Sequence, residues 1–259
     1  MNLLKKNTLL IVCVVSVLSG CISTASHQTR ATDPGLFEQK NLEIAQGFLI
    51  QGLPARAIGR LQAIIKVKPD SAPAYGLLAV VYQHQGEYGL ALKNFRRSLR
   101  LNPQASDVRN NYGVLLYEQK RYKEALREFQ RVTGDVYYER RSRAFENMGL
   151  VSLRLNRQAR AASYFQRAVR LENSLWRAHL ELAAIAWEKG DVAQADRHFK
   201  TVELARRSAH LSSRALFLGI KIAKRLQDDA RVQRYAEQLA RLHPGSEEYR
   251  AYQVSLSYE

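Results

Sequence analysis

From residue 38 to about 246 the apolar positions fall at helical spacing, as at Leu78, Val81 and Tyr82 and again at Leu92, Phe95 and Leu99, with polar residues between them. The pattern recurs at a fixed distance. Pro69 and Pro103 stand 34 residues apart, and Ala45, Gly52, Ala57 and Leu61 before the first return as Ala79, Gly86, Ala91 and Phe95 before the second. Later units show Gly113, Ala125 and Phe129, then Gly149, Ala161, Phe165 and Ala168, then Ala183, Gly190, Ala195 and Phe199, and a degenerate last unit ends at Pro244. Two helices per unit cannot bury an apolar face alone, so the period predicts antiparallel helix pairs stacked into a solenoid.

The marks of the repeat have physical roles. Ala79, Gly113, Gly149 and Ala183 let the first helix of a unit approach the second, and Ala57, Ala91, Ala125, Ala161 and Ala195 do the same from the other side. Phe95, Phe129, Phe165 and Phe199 fill the gap to the next unit. Gly52, Gly86 and Gly190 suit the turn between helices, and the residue before each proline is pushed out of the α region, which ends the second helix. Six units are predicted: 38–71, 72–105, 106–141, 142–175, 176–212 and 213–246, with 247–259 as a tail. In the third, Thr133 to Tyr138 replace the proline turn and predict a bulged connection. Tyr137 and Tyr138 there serve either as a partner contact or as packing under the next unit.

This pattern resembles the tetratricopeptide repeat (TPR). The resemblance implies an all-α, right-handed superhelical solenoid of about six repeats, with the first helix of each repeat lining a concave groove. The positions it assigns to the groove are Gln39, Leu42, Glu43, Gln46, Leu49 and Ile50, then Val80, Gln83 and His84, then Asn110, Asn111, Val114 and Tyr117. Glu146, Asn147, Leu150 and Leu153 follow, and then Leu180, Ala184 and Trp187. Asn111 and Asn147 hold a position from which an amide either pairs with the backbone of an extended peptide or caps a neighbouring turn.

Ahead of the repeats, Lys5 and Lys6 precede an apolar run from Leu9 to Leu18, the layout of a secretory signal. That run is about half of the roughly 20 residues a membrane-spanning helix needs. Leu18-Ser19-Gly20-Cys21 resembles the bacterial lipobox, which implies cleavage of residues 1–20, acylation of Cys21 and loss of Cys13; the alternative is an ordinary signal with a chance cysteine. Ile22 in place of an aspartate implies, by the same resemblance, sorting to the periplasmic face of the outer membrane. Residues 22 to 36 are rich in Ser and Thr without apolar period, so 21–37 is expected to be a lipidated cysteine and flexible tether with a reach of roughly 20 Å.

Composition narrows the class. The chain has 259 residues, 46% hydrophobic and 25% charged, with 14 Gly and 6 Pro, which excludes collagen, low-complexity chains and multi-pass membrane proteins. Its net charge of +16 is uneven: residues 140 to 245 hold 21 Lys and Arg against 10 Asp and Glu. Most of these charges are expected on solvated helix faces; the alternative is a basic face of repeats four to six that meets anionic lipid or an acidic partner. A periplasmic address leaves no role for nucleic acid.

No phosphate loop, HExxH, CxxC or GxSxG pattern occurs. Six scattered histidines, among them His179 and His198, lack the further ligands of a metal site. The expectation is a non-catalytic protein without metal or cofactor, apart from the covalent lipid on Cys21, and a monomeric repeat body.

Three stretches, Arg109 to Gly113, Arg143 to Leu150 and Leu216 to Ala223, together with the lipobox and six repeats, resemble the type IV pilus biogenesis and stability lipoproteins of the PilW/PilF kind. What that resemblance implies is a pilotin, an outer-membrane lipoprotein that binds the pilus secretin and promotes its outer-membrane localisation and multimer assembly. The expected contacts are Leu42, Gln46, Leu49, Val80, Gln83, Asn110, Asn111, Val114, Tyr117 and Asn147. A general periplasmic scaffold or adaptor, and an enzyme with an unrecognised site, are the alternatives.

Overall fold

The structure is a computed structural model and describes residues 33–206 and 211–256. The leader, the lipobox residues Leu18, Ser19, Gly20 and Cys21, and His27 and His210 lie outside the described residues. Among the described residues, thirteen helices and no strand are present. They run as pairs: α1 (Pro34–Ile50) with α2 (Pro54–Val67), α3 (Ala72–His84) with α4 (Tyr88–Leu101), α5 (Ser106–Glu118) with α6 (Tyr122–Gly134), and α7 (Arg141–Arg154) with α8 (Gln158–Leu171). Next come α9 (Trp176–Glu188) with α10 (Val192–Ala205) and α11 (Ser213–Arg225) with α12 (Asp229–Leu242), and α13 (Glu247–Leu256) closes the row. The fold is the expected all-α solenoid.

Helix ends follow local chemistry. Asp33 accepts a hydrogen bond from the Gly35 N–H, and Pro34 occupies the first helical position, where its missing donor costs nothing. The helix therefore begins inside the segment expected to be tether. Ser246 likewise accepts from the Tyr249 N–H, and two glutamates fill the first turn of α13, so the stretch expected as a tail carries one more helix. Its Tyr249 and Tyr252 rest against the last buried cluster. Lys68 and Asn102, each before a proline, take extended ψ angles of 84° and 92° and stop their helices.

The turn inside each pair holds one residue with positive φ: Gly52, Gly86 and Gly190 at 71°, 78° and 78°, and Lys120, Asn156 and Gln227 at 57°, 55° and 58°. Six pairs thus share one left-handed turn geometry, although only three use glycine. The third connection, 135 to 140, is two residues longer than 68 to 71. It leaves Tyr137 92% exposed and Tyr138 half-buried, with the Arg140 guanidinium 6.0 Å from the Tyr138 ring centroid.

The core forms where small residues meet rings. A Cβ on Gly113 would stand 2.6 Å from the Phe129 ring, and one on Gly149 would overlap the Phe165 ring. Phe95, Phe129, Phe165 and Phe199 are all fully buried, and Phe95 also meets Tyr112 of the next pair at a centroid distance of 5.9 Å. Burying each such ring removes roughly 150–250 Å² from water.

Candidate functional site

Consecutive first helices, α1 to α3 and onward to α11, pack against one another, whereas among the described residues no such row links the second helices. The closer row lies on the inside of the curve, so the first helices line the concave face.

Side chains stitch this face. Glu38 accepts from Ser71 and Lys68, both at 2.5 Å, at the start of α3. Buried Glu146 accepts from the Ala178 N–H at 3.1 Å in the first turn of α9, and Glu181 takes both prongs of Arg214 on α11 at 2.6 and 2.8 Å. Burial pushes the Glu146 carboxyl up, against the lowering pull of Arg177 and Arg143. For Glu38, burial is outweighed by Lys68 and Ser71, which hold its carboxyl below the usual range.

The residues expected to bind a partner divide between this lattice and open surface. Gln83 donates to Glu118 at 2.7 Å, Asn147 donates to Asn110 at 3.3 Å, and the Tyr117 hydroxyl accepts from Arg154 at 3.1 Å. Val114, Tyr117, Asn147 and Leu150 line one hollow of about 190 Å³ with Phe129 and Arg177. Asn111 is half-buried beside them, and among the described residues nothing hydrogen-bonds its amide, so of the two asparagines it has the free amide and Asn147 does not cap a turn. Leu42 and Leu49 are half-buried against the Ala45, Ala57 and Leu61 cluster, Val80 is half-buried, and Gln46 is exposed. Ile50 is 88% exposed at the end of α1. Glu146 and Leu180, counted to the groove from the repeat positions, are buried and present nothing to a partner.

Sequence reasoning placed Ala184 and Trp187 in the groove but missed the second hollow that they form with residues of α11. It lies between α9 and α11, measures about 590 Å³, and combines Trp187 with Phe217, Lys221 and Arg225. The signal was available: Phe217 and Lys221 are four apart on one helix face, and Trp187 is 30 residues before Phe217.

His179 and His198 meet at 2.9 Å through their Nδ1 atoms. His179 Nε2 faces the Asn173 carbonyl oxygen at 3.1 Å and its Oδ1 at 3.3 Å, so Nε2 carries the proton and Nδ1 accepts from His198. Burial lowers both rings, and His179 and then Arg197 add to it at His198, which falls to about 4. With an ordinary value of 6.5, His198 takes up its proton sooner in the unfolded chain, so stability is full above pH 6.5 and declines toward pH 4. After allowance for its partial exposure, the loss is about 1 kcal/mol. Thermal unfolding at about pH 7 and 5 is expected to show this slope, and His198→Gln to flatten it; an equal slope in the variant would assign the loss to other groups. Among the described residues no cluster of three or more His, Cys, Asp or Glu is placed to hold a metal, and no helix is long and apolar enough to cross a membrane.

Known proteins share this architecture. Two tetratricopeptide-repeat profiles match, one over residues 70–134 and the other over 42–92 and 146–200. The type IV pilus assembly protein PilF of Pseudomonas aeruginosa is 35% identical over 239 residues, covering 92% of this chain and 94% of its own. A solved structure of Pseudomonas aeruginosa PilF superposes with a TM-score of 0.83 at 34% identity, over 86% of this chain and 99% of that one. PilW, described as a widely conserved type IV pilus biogenesis factor, superposes at 0.70 and 25% identity, over 83% and 97%.

Proposed function

Because the chain belongs to the PilF family of type IV pilus assembly proteins and is built of tetratricopeptide repeats, we propose that it is a pilotin: a lipid-anchored protein of the outer membrane that holds the pilus secretin subunit and promotes its multimer assembly. The observation that carries this reading is the match to PilF along nearly the whole of both chains. Pilus assembly requires non-covalent handling of subunits, and a row of stitched first helices offers a rigid inner surface for that work. No bond-making step is needed.

In this reading, acyl chains on Cys21 hold the repeats at the periplasmic face, since more than one chain exceeds the marginal membrane affinity of a single one. The secretin segment lies along the first three pairs and meets α7 of the fourth. There Leu42, Leu49 and Val80 offer apolar surface, Gln46 is exposed, and the Val114, Tyr117 and Asn147 hollow takes a side chain. The free amide of Asn111 pairs with the backbone of the segment, while Gln83 and Asn110 fix the lattice around it.

The test is the state of the secretin in a strain lacking this gene. Heat-resistant outer-membrane multimers are expected to disappear, to return with the wild-type gene, and to stay absent with Leu49→Ala, Asn111→Ala and Tyr117→Ala combined or with Cys21→Ala. Normal multimers in the deletion strain would overturn the pilotin reading. Full rescue by the folded groove variant would overturn the assigned surface alone.

A further inference from the structure

The hollow between α9 and α11 has an apolar floor and a cationic rim. Trp187 and Phe217 are half-buried within it, with Ala184 and Leu218 alongside. Lys221 Nζ stands 4.9 Å from the Phe217 ring centroid and 5.8 Å from that of Trp187. Arg225 projects from the last turn of the same helix and is exposed.

The charges here are unevenly matched. Arg214 is taken up by Glu181, and Glu188, the acidic residue of the lining, accepts a hydrogen bond from Gln158. Among the described residues neither Lys221 nor Arg225 forms an ion pair. A lysine held over two rings has an attraction weaker than a carboxylate would supply, and an arriving carboxylate can join it without displacing the rings. The hollow also sits in the segment 140 to 245, whose 21 basic residues against 10 acidic ones attract acidic chains.

We propose that this hollow is a docking site for an extended acidic segment of a partner protein that carries an aromatic side chain. The ring enters between Trp187 and Phe217, and flanking carboxylates reach Lys221 and Arg225. Its volume of about 590 Å³ is of the size that encloses side chains. A concave recess between two helices suits an extended chain, while a bilayer surface would meet an outward-facing patch. The site is separate from the Asn111 and Tyr117 surface and stands independently of the secretin assignment.

The probe is a fluorescein-labelled peptide, Asp-Phe-Asp-Glu-Phe-Asp, titrated onto the purified full-length chain by fluorescence polarisation. Binding is expected to weaken about tenfold when Lys221→Gln and Arg225→Gln are combined, and by a similar factor with Trp187→Ala. Asn111→Ala with Tyr117→Ala is expected to leave it unchanged. A peptide with Asn and Gln in place of the acids is expected to bind about tenfold more weakly. Circular dichroism confirms that each variant is folded, and the charge pair is tested separately from Trp187 so that one misfolded variant does not decide the result. Equal binding by the Lys221 and Arg225 variant, or equal binding of the uncharged peptide, would overturn the proposal. So would Lys221-dependent sedimentation with phosphatidylglycerol vesicles combined with failure to bind the peptide, which would assign the site to lipid.

Discussion

Gly149→Leu is expected to destabilise the fourth helix pair by about 3 kcal/mol or more, beyond what most single substitutions cost. The Phe165 ring lies where the new Cβ would go, and buried Ala161 and Ala168 on α8 are part of the same packed cluster, so the ring has little room to retreat. Gly149→Ala sets two effects against each other. Alanine gains about 1 kcal/mol of helix propensity over glycine, while its Cβ meets the same ring. The clash is expected to win, with a net loss of about 1–2 kcal/mol. Gly59 supplies the opposite case: it sits on an exposed face of α2, and a Cβ there would meet nothing within 4 Å. Gly59→Ala is therefore expected to stabilise by about 0.5–1 kcal/mol. Urea unfolding of the two alanine variants, with equal m-values, checks the contrast. A neutral Gly149→Ala would mean that the close approach of α7 to α8 does not limit packing.

Arg231→Met is expected to cost about 3 kcal/mol, the lower end for breaking a buried ion pair. Arg231 and Asp196 are 12% and 11% exposed, and Nη1 of the arginine donates to the carboxylate at 2.6 Å. Other prongs approach Glu203 at 3.5 Å and Asp228 at 3.9 Å, and Nε donates to the Tyr235 hydroxyl at 3.4 Å. Removing the arginine leaves Asp196 buried with only Lys200, an exposed partner at 2.8 Å. Burial alone would raise the Asp196 carboxyl, but Lys200 and Arg231 together hold it below 3.8. Its contribution is thus full above that value and is lost as pH falls through the lowered one. Burial and then the nearby Glu203 push the Tyr235 hydroxyl up to about 12, so it stays a neutral partner.

A double variant, Arg231→Met with Asp196→Asn, is expected to recover at least about 1 kcal/mol, because no unpaired buried charge remains. Strict additivity would show that the pair does not couple. The damage is expected at one end of the molecule: hydrogen exchange should quicken in α11 to α13 while α3 to α8 keep their protection, since each pair touches only its neighbours.

The period, the small-residue marks and the buried rings were legible because they report a core that every pair builds in the same way. Gly113, Gly149 and the four phenylalanines stand where the spacing puts them. Helix starts were less legible, since Asp33-Pro34 reads equally as a loop signal and as a cap with proline at the first position. The same ambiguity hid α13 behind Ser246. The concave face was hardest to read. Gln83, Asn110, Asn147 and Tyr117 were found as lining residues, but their bonds to residues one repeat away depend on superhelical geometry that a one-dimensional period does not contain. Glu146 was placed in the groove by its position, and it instead turns under α9 to meet a helix N-terminus.

The six left-handed turn residues, from Gly52 to Gln227, have an architectural consequence. Because each pair leaves its turn in the same backbone state, the chain can be cut at one turn and rejoined at another without altering the direction in which the next helix departs. Joining Gly86 directly to Arg121, for instance, removes one whole unit and restores the geometry that Lys120 now supplies. Length is therefore quantised in this molecule. It behaves as a ruler graduated in helix pairs, and evolution can reset the distance between its two ends by whole steps.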